Sequence, residues 1–197
     1  MTREERAAYN GHSGAVIWLT GLSGAGKSTL AMAVERELCR AGYLVYVLDG
    51  DNIRCGLNRD LGFSVADRSE NIRRVAEVAA LFADAGTIVI TAFISPNATD
   101  RAAARAAANA PFFEVHLNAD VAACEARDPK GLYARARANT IPNFTGVSAP
   151  YDIPERADLV LDTSTDTVAR CVVQLTAFIR RVTATPDVTA GSSRIAS

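Results

Sequence analysis

Gly21-Leu-Ser-Gly-Ala-Gly-Lys-Ser28, preceded by the apolar run Ala15–Thr20 (AVIWLT) and followed by apolar residues at helical spacing over Leu30–Leu38, decides the fold. The octapeptide fits G-x-x-x-x-G-K-[ST] and stands where that pattern has meaning, after a strand and at the start of a helix. Its glycines let backbone N–H groups curl around phosphate oxygens, and the helix N-terminus adds positive potential at the same place. Gly21, Leu22, Ser23, Gly24, Ala25, Gly26, Lys27, Ser28 and Thr29 are therefore the expected ATP-binding residues. Lys27 is placed to reach the β- and γ-phosphates, and the Ser28 hydroxyl to ligate Mg²⁺.

Outward from this loop, strand and helix patterns alternate. Gly42 closes the first helix, and Tyr43–Leu48 (YLVYVL) is a second buried strand ending in Asp49-Gly50-Asp51. Ser64 with Asp67 suggests a helix cap, and Ile72, Val75, Ala76, Ala79 and Phe82 then share one face until Gly86. Strands follow at Thr87–Phe93, Phe112–Leu117 and Asp158–Leu161, with helices from Ser95-Pro96 onward, near Val121–Arg127 and over Thr167–Ile179. Ser95 reads as an N-cap with Pro96 at the first helical position. The alternation implies a three-layer α/β/α P-loop NTPase fold on a mainly parallel five-stranded sheet, with ligands beyond the carboxyl ends of the strands.

Residues 1–14 read as an N-terminal extension, 15–181 as the P-loop domain and 182–197 as a disordered tail. Between Asp128 and Arg156 the pattern breaks. Four of the seven prolines and the basic Lys130, Arg135 and Arg137 fall there, which suggests a mobile lid. The 197 residues are 49% hydrophobic and 22% charged, which excludes a disordered chain, and the net charge of −1 offers no global attraction to nucleic acid or an anionic membrane. With no apolar run of about 18–20 residues and no leader core, a cytoplasmic location is expected. Cys39, Cys55, Cys124 and Cys171 are too scattered for a zinc site and read as ordinary thiols. Nineteen arginines stand against two lysines, Lys27 and Lys130, so each lysine invites the reading that a compact ammonium serves there better than a planar fork, chance being the other reading.

A guanine-reading Asn-Lys-x-Asp is absent, and the strand TIVITAF ends without the acid many P-loop ATPases use for metal. Asp49 and Asp51 instead end the second strand. A carboxylate there can orient Mg²⁺ (Asp49) or accept a proton from an acceptor hydroxyl (Asp51), which is small-molecule kinase chemistry; an ordinary solvated Asp-Gly turn is the other reading.

The blocks LDGDNIRCGLNRDLGFS (Leu48–Ser64), DRSENIRR (Asp67–Arg74), FISP (Phe93–Pro96), DPKGLYARAR (Asp128–Arg137) and NFTG (Asn143–Gly146), in this order after the phosphate loop, closely resemble the adenylyl-sulfate kinase family over roughly residues 11–180. The resemblance implies transfer of the ATP γ-phosphoryl group to the 3′-hydroxyl of adenosine 5′-phosphosulfate (APS), giving 3′-phosphoadenylyl sulfate (PAPS), and a homodimer. It implies APS contacts at Asp51, Arg54, Phe63, Arg68, Asn71, Ile94, Ser95, Lys130, Asn143 and Phe144. Asp51, Lys27 and Lys130 would act in catalysis, with Ser95 the family's candidate phosphoserine. The residue types agree: Arg54 and Arg68 offer donor forks for a phosphosulfate, and Phe63 and Phe144 offer faces for adenine. Taken singly, Arg68 reads equally as a surface ion-pair partner, the two phenylalanines as packing residues, and Lys130 as a turn lysine. Another P-loop small-molecule kinase, or a nucleotide-binding regulatory module without turnover, remains an alternative.

Overall fold

The protein is described by a computed structural model, which covers residues 1–185. Five strands, β1 (Ala15–Thr20), β2 (Val45–Asp49), β3 (Ile88–Ala92), β4 (Phe112–Asn118) and β5 (Leu159–Asp162), form one sheet in the order β2-β3-β1-β4-β5. Every pairing is parallel. Each neighbouring parallel pair needs a crossover, and helices supply them on both faces. β1 is buried along its whole length, which explains why AVIWLT is continuously apolar rather than alternating.

Its side chains divide by parity. Ala15, Ile17 and Leu19 join α2 (Lys27–Arg40) and α8 (Val168–Thr183) in one core through Leu30, Val34, Leu38, Leu175 and Ile179. Val16 and Trp18 join α4 (Val65–Asp84) and α5 (Ala98–Ala107) in the other through Ile72, Val75, Ala79 and Ala104. The register levels the strand ends that matter: Leu19 and Asp49 both lie opposite Ala92, and Thr20 lies opposite His116. The turns after β1, β2 and β3 therefore open on one edge.

Several local expectations need correction. The chain before β1 carries a helix, α1 (Arg3–Asn10), whose Thr2 side chain accepts the Glu5 amide while the Glu5 carboxylate accepts the Thr2 amide. Arg3 pairs with Asp84 and Asn10 donates to the Gly86 carbonyl, so α1 is tied to the end of α4. The Asp-Gly-Asp segment starts a short helix, α3 (Gly50–Cys55), capped by Asp49. Ser95 does not cap α5. Asn97 does, its side chain accepting the Thr99 amide, because Ser95 sits at φ +38° with its hydroxyl turned toward Trp18.

Beyond β4, α6 (Val121–Arg127) leads into residues 128–156. These hold a further helix, α7 (Leu132–Arg137), and a bridge between Thr145 and Ala149. α8 runs through Thr183, so Val182 and Thr183 are helical; residues 186–197 of the expected tail lie outside those described.

Candidate active site

The loop between β1 and α2 supplies the first half of the site. At Gly21 an added Cβ would lie 2.7 Å from the Leu117 carbonyl oxygen, and at Gly24, with φ +78°, 2.8 Å from that of Cys124. Only glycine lets the loop pass this close to β4 and α6. α2 begins without a side-chain cap, so its first amides stay available to an anion at its N-terminus.

The Lys27 ammonium donates to the Gly21 and Leu22 carbonyls at 2.9 and 2.7 Å, folded back on its own loop. Burial pushes its pKa down to about 8, outweighing Cys124 and Asp49, which favour the charged form. The loop is braced from outside. Tyr133 donates to the Ser23 carbonyl at 3.0 Å, Thr163 to that of Ala25 at 3.0 Å and Arg127 to that of Gly24 at 3.4 Å. None of these three was expected as a site residue. Tyr133 lies within the block DPKGLYARAR, whereas Thr163 follows β5 and carries no local signal.

The second half comes from β2. Ser28 Oγ donates to Asp49 Oδ2 at 2.5 Å, and the other Asp49 oxygen accepts the Asp51 amide. A hydroxyl and a carboxylate oxygen are thus paired at the mouth of the phosphate loop, and among the described residues no group of three or more His, Cys, Asp or Glu could cage a metal. That donor set fits Mg²⁺, which takes one or two protein oxygens and completes its octahedron with water and phosphates. Asp51 points outward and pairs with the Lys130 ammonium at 2.6 Å, joining the end of β2 to the 128–156 segment.

A third cluster flanks these. Arg54 donates to the Leu61 and Gly62 carbonyls, and its guanidinium carbon stands 4.4 Å from the centroid of the Phe63 ring. Arg68 donates to the carbonyls of Phe63 (3.0 Å) and Asn143 (2.7 Å) and to the Thr145 hydroxyl (3.3 Å). Among the described residues no carboxylate pairs with either arginine, so the ion-pair reading of Arg68 does not hold. Burial lowers both guanidinium pKa values, and at Arg68 the nearby Arg54 lowers it further. The Asp67 carboxylate nearby favours the charged form of Arg54 without pairing with it, so two partly buried guanidiniums stand together with no ion-pair partner among the described residues, an arrangement suited to an anion.

The aromatic pair is unequal. Phe63 is 66% exposed, while Phe144 is 6% exposed and meets Tyr133 edge-on with ring centroids 5.0 Å apart. Asn71 is buried and accepts from Asn58 at 3.0 Å. Ile94 is half-buried, its carbonyl accepting from Thr20 at 2.7 Å. The Ser95 hydroxyl accepts the Trp18 indole N–H at 3.1 Å in a residue 2% exposed.

The family model for adenylylsulphate kinase matches residues 13–162, more than half of the chain. The adenylyl-sulfate kinase of Geotalea daltonii is 55% identical over 181 residues, covering 91% of this chain and 89% of its own. The APS kinase of Mycobacterium tuberculosis, solved in complex with AMPPNP and APS, superposes with a TM-score of 0.82 at 49% identity, over 85% of this chain and 98% of its own. A hexameric APS kinase from Thiobacillus denitrificans superposes with a TM-score of 0.66 at 31% identity, over 88% of this chain and 30% of its own.

Proposed function

The chain belongs to the adenylylsulphate kinase family, and from that premise we propose that it transfers the γ-phosphoryl group of ATP to the 3′-hydroxyl of APS, releasing ADP and PAPS for sulfate assimilation. The observation that carries the reading is the placement of two anion sites at one sheet edge. The phosphate loop with Lys27, Ser28 and Asp49 forms one, Arg54 and Arg68 beside Phe63, with no ion-pair partner among the described residues, form the other, and the Asp51–Lys130 pair joins the start of α3 to the 128–156 segment.

Each residue's role follows from its chemistry. When ATP binds, Lys27 exchanges the Gly21 and Leu22 carbonyls for β- and γ-phosphate oxygens, a stronger charge-assisted pairing. Ser28 and Asp49 would hold Mg²⁺, which would supply charge to offset that of the ATP phosphates. Arg54 and Arg68 take the phosphosulfate, while Phe63 and Phe144 border adenine, with Asn71, Ile94, Ser95 and Asn143 lining the acceptor. Asp51, released from Lys130, orients the 3′-hydroxyl and accepts its proton; Lys130 turns to the transferring phosphoryl group. In-line transfer asks chiefly for positioning and charge, so a single orienting carboxylate suffices. Residues 128–156 act as a lid that excludes water during transfer. The working form is a cytoplasmic homodimer, its kinase domain spanning 15–181.

The test is an assay with Mg²⁺, ATP and APS that follows ADP and PAPS together, with Lys27→Ala as control and adenosine nucleotides lacking the sulfate as competing acceptors. Stoichiometric ADP and PAPS, absent in the control, are expected. ADP without PAPS points to another acceptor, and ATP binding without turnover to a regulatory module.

A further inference from the structure

The 128–156 segment has a rear root at Tyr151-Asp152, and that root is stitched to the turn after β3. The Asp152 amide donates to the Pro96 carbonyl at 2.8 Å, the Asp152 side chain accepts the Ala98 amide at 3.0 Å, and the Tyr151 hydroxyl lies 2.9 Å from Thr20 Oγ1. Between them sits Ser95, a non-glycine residue at φ +38° that persists only because its surroundings hold it.

One side chain reaches all of these parts. Arg101, in α5 and 4% exposed, donates through Nε to Glu114 Oε1 of β4 at 2.6 Å, through Nη1 to the Ser95 carbonyl at 2.8 Å and through Nη2 to the Asp152 carbonyl at 2.7 Å. Its guanidinium carbon lies 5.8 Å from the Tyr151 ring centroid. A buried ion pair is weak evidence for stability, since packed apolar residues usually do as well. Here the fork also fills two backbone carbonyls on separate segments, a geometry that a point charge cannot match.

We propose that Arg101 is a positioning residue for phosphoryl transfer: it locks the acceptor-facing Ile94–Ser95 turn to the rear root of the lid, so that Lys130 and Phe144 close in register with that turn. The proposal rests on the kinase reading above. It says that a residue touching neither nucleotide sets the alignment of the acceptor.

Three variants in the PAPS assay test it. Arg101→Lys keeps the charge beside Glu114 and loses the fork. The double variant Arg101→Met/Glu114→Met removes both charges, leaving none orphaned. Glu114→Gln keeps both carbonyl bonds. The first two are expected to lower kcat about 10- to 100-fold and raise the KM for APS, as a small misplacement of reactants does. ATP affinity by calorimetry should change clearly less than the KM for APS, because Arg101 bonds Glu114, Ser95 and Asp152 and none of the phosphate-loop residues 21–28. Glu114→Gln should keep the parental KM for APS.

Parental kinetics in a folded Arg101→Lys protein, or equal losses for ATP and APS, would overturn the proposal. PAPS formation by the parent chain is the control: its absence would refute the kinase reading itself. If the Arg101 variants do not fold, hydrogen exchange on the parent decides. The Asp152 amide should be protected together with the α5 amides, and exchange at Asp152 much faster than in α5 would overturn the lock.

Discussion

Burial at Lys27 has a consequence for ATP binding. Its ammonium is held by two carbonyls of its own loop and its pKa is depressed to about 8, whereas phosphate oxygens favour the charged form. Binding ATP above pH 8 therefore takes up a proton. The ATP dissociation constant should rise as pH climbs past 8, by up to about tenfold per pH unit. Calorimetric titration from pH 7 to about 9.5 measures it, and a flat profile would contradict the buried, loop-held ammonium. The same depression means that the unfolded chain binds more protons between the folded and unfolded pKa values, so this group's contribution to stability improves as pH rises from 8 toward 10.5. Ser95 offers a second test at this scale. Its hydroxyl already accepts the Trp18 indole N–H in a buried turn, and direct in-line transfer needs no covalent carrier. Ser95→Ala should keep turnover within about tenfold of the parent, at a stability cost of roughly 1–3 kcal/mol for the unpaired indole N–H. Steady-state PAPS formation and thermal unfolding report the two effects separately; abolished turnover in a folded protein that still binds APS would restore a covalent role.

Elements whose signals are local were legible in the sequence, and elements held by distant partners were not. The phosphate loop could be placed because its glycines, lysine and serine lie within eight residues of one another between an apolar run and a helical pattern. Helix α4 could be placed because Ser64 and Asp67 announce it: the Ser64 hydroxyl accepts the Asp67 amide at 3.1 Å and donates to the Asp67 carboxylate at 2.7 Å. Ser64→Ala should cost about 1 kcal/mol, read as a lower denaturant midpoint with an unchanged slope. Because α4 carries Arg68 and Asn71, the variant should also raise the KM for APS. Helix α1 carries its own signal in Thr2 and Glu5, but it lies outside the strand-and-helix alternation and buries none of its residues. The misplaced cap of α5 has a different cause. Ser-Pro is a good local start for a helix, but Trp18 and Arg101 claim Ser95 from elsewhere in the fold, and Asn97 takes the cap. Of the site itself, the acids after β2 and both arginines could be named from their blocks. The braces Tyr133 and Thr163 could not, because their partners Ser23 and Ala25 lie 110 and 138 residues away.

At the scale of the whole molecule, one parallel sheet brings the phosphate loop and the start of α3 to a common edge, and one segment contacts both. Residues 128–156 touch the phosphate loop through Tyr133, α4 through Asn143 and Thr145, α3 through Lys130 and the turn after β3 through Asp152. A segment anchored at that many points can report the occupancy of both sites, which is what a kinase needs in order not to spend ATP on water. Lys130 is the only lysine in it and one of two in the chain. Its pair with Asp51 is exposed and adds little to stability, so Lys130→Ala should leave thermal unfolding nearly unchanged. Catalysis should suffer in two ways at once: slower PAPS formation, because a cation on the transferring group is lost, and ADP in excess of PAPS, because closure over the phosphates is incomplete. The ratio of ADP to PAPS separates the roles. A ratio near one in the parent and clearly above one in Lys130→Ala supports a closing cation that also guards against hydrolysis. A slow variant that still makes one PAPS for each ADP confines Lys130 to charge stabilisation and leaves water exclusion to the rest of the segment.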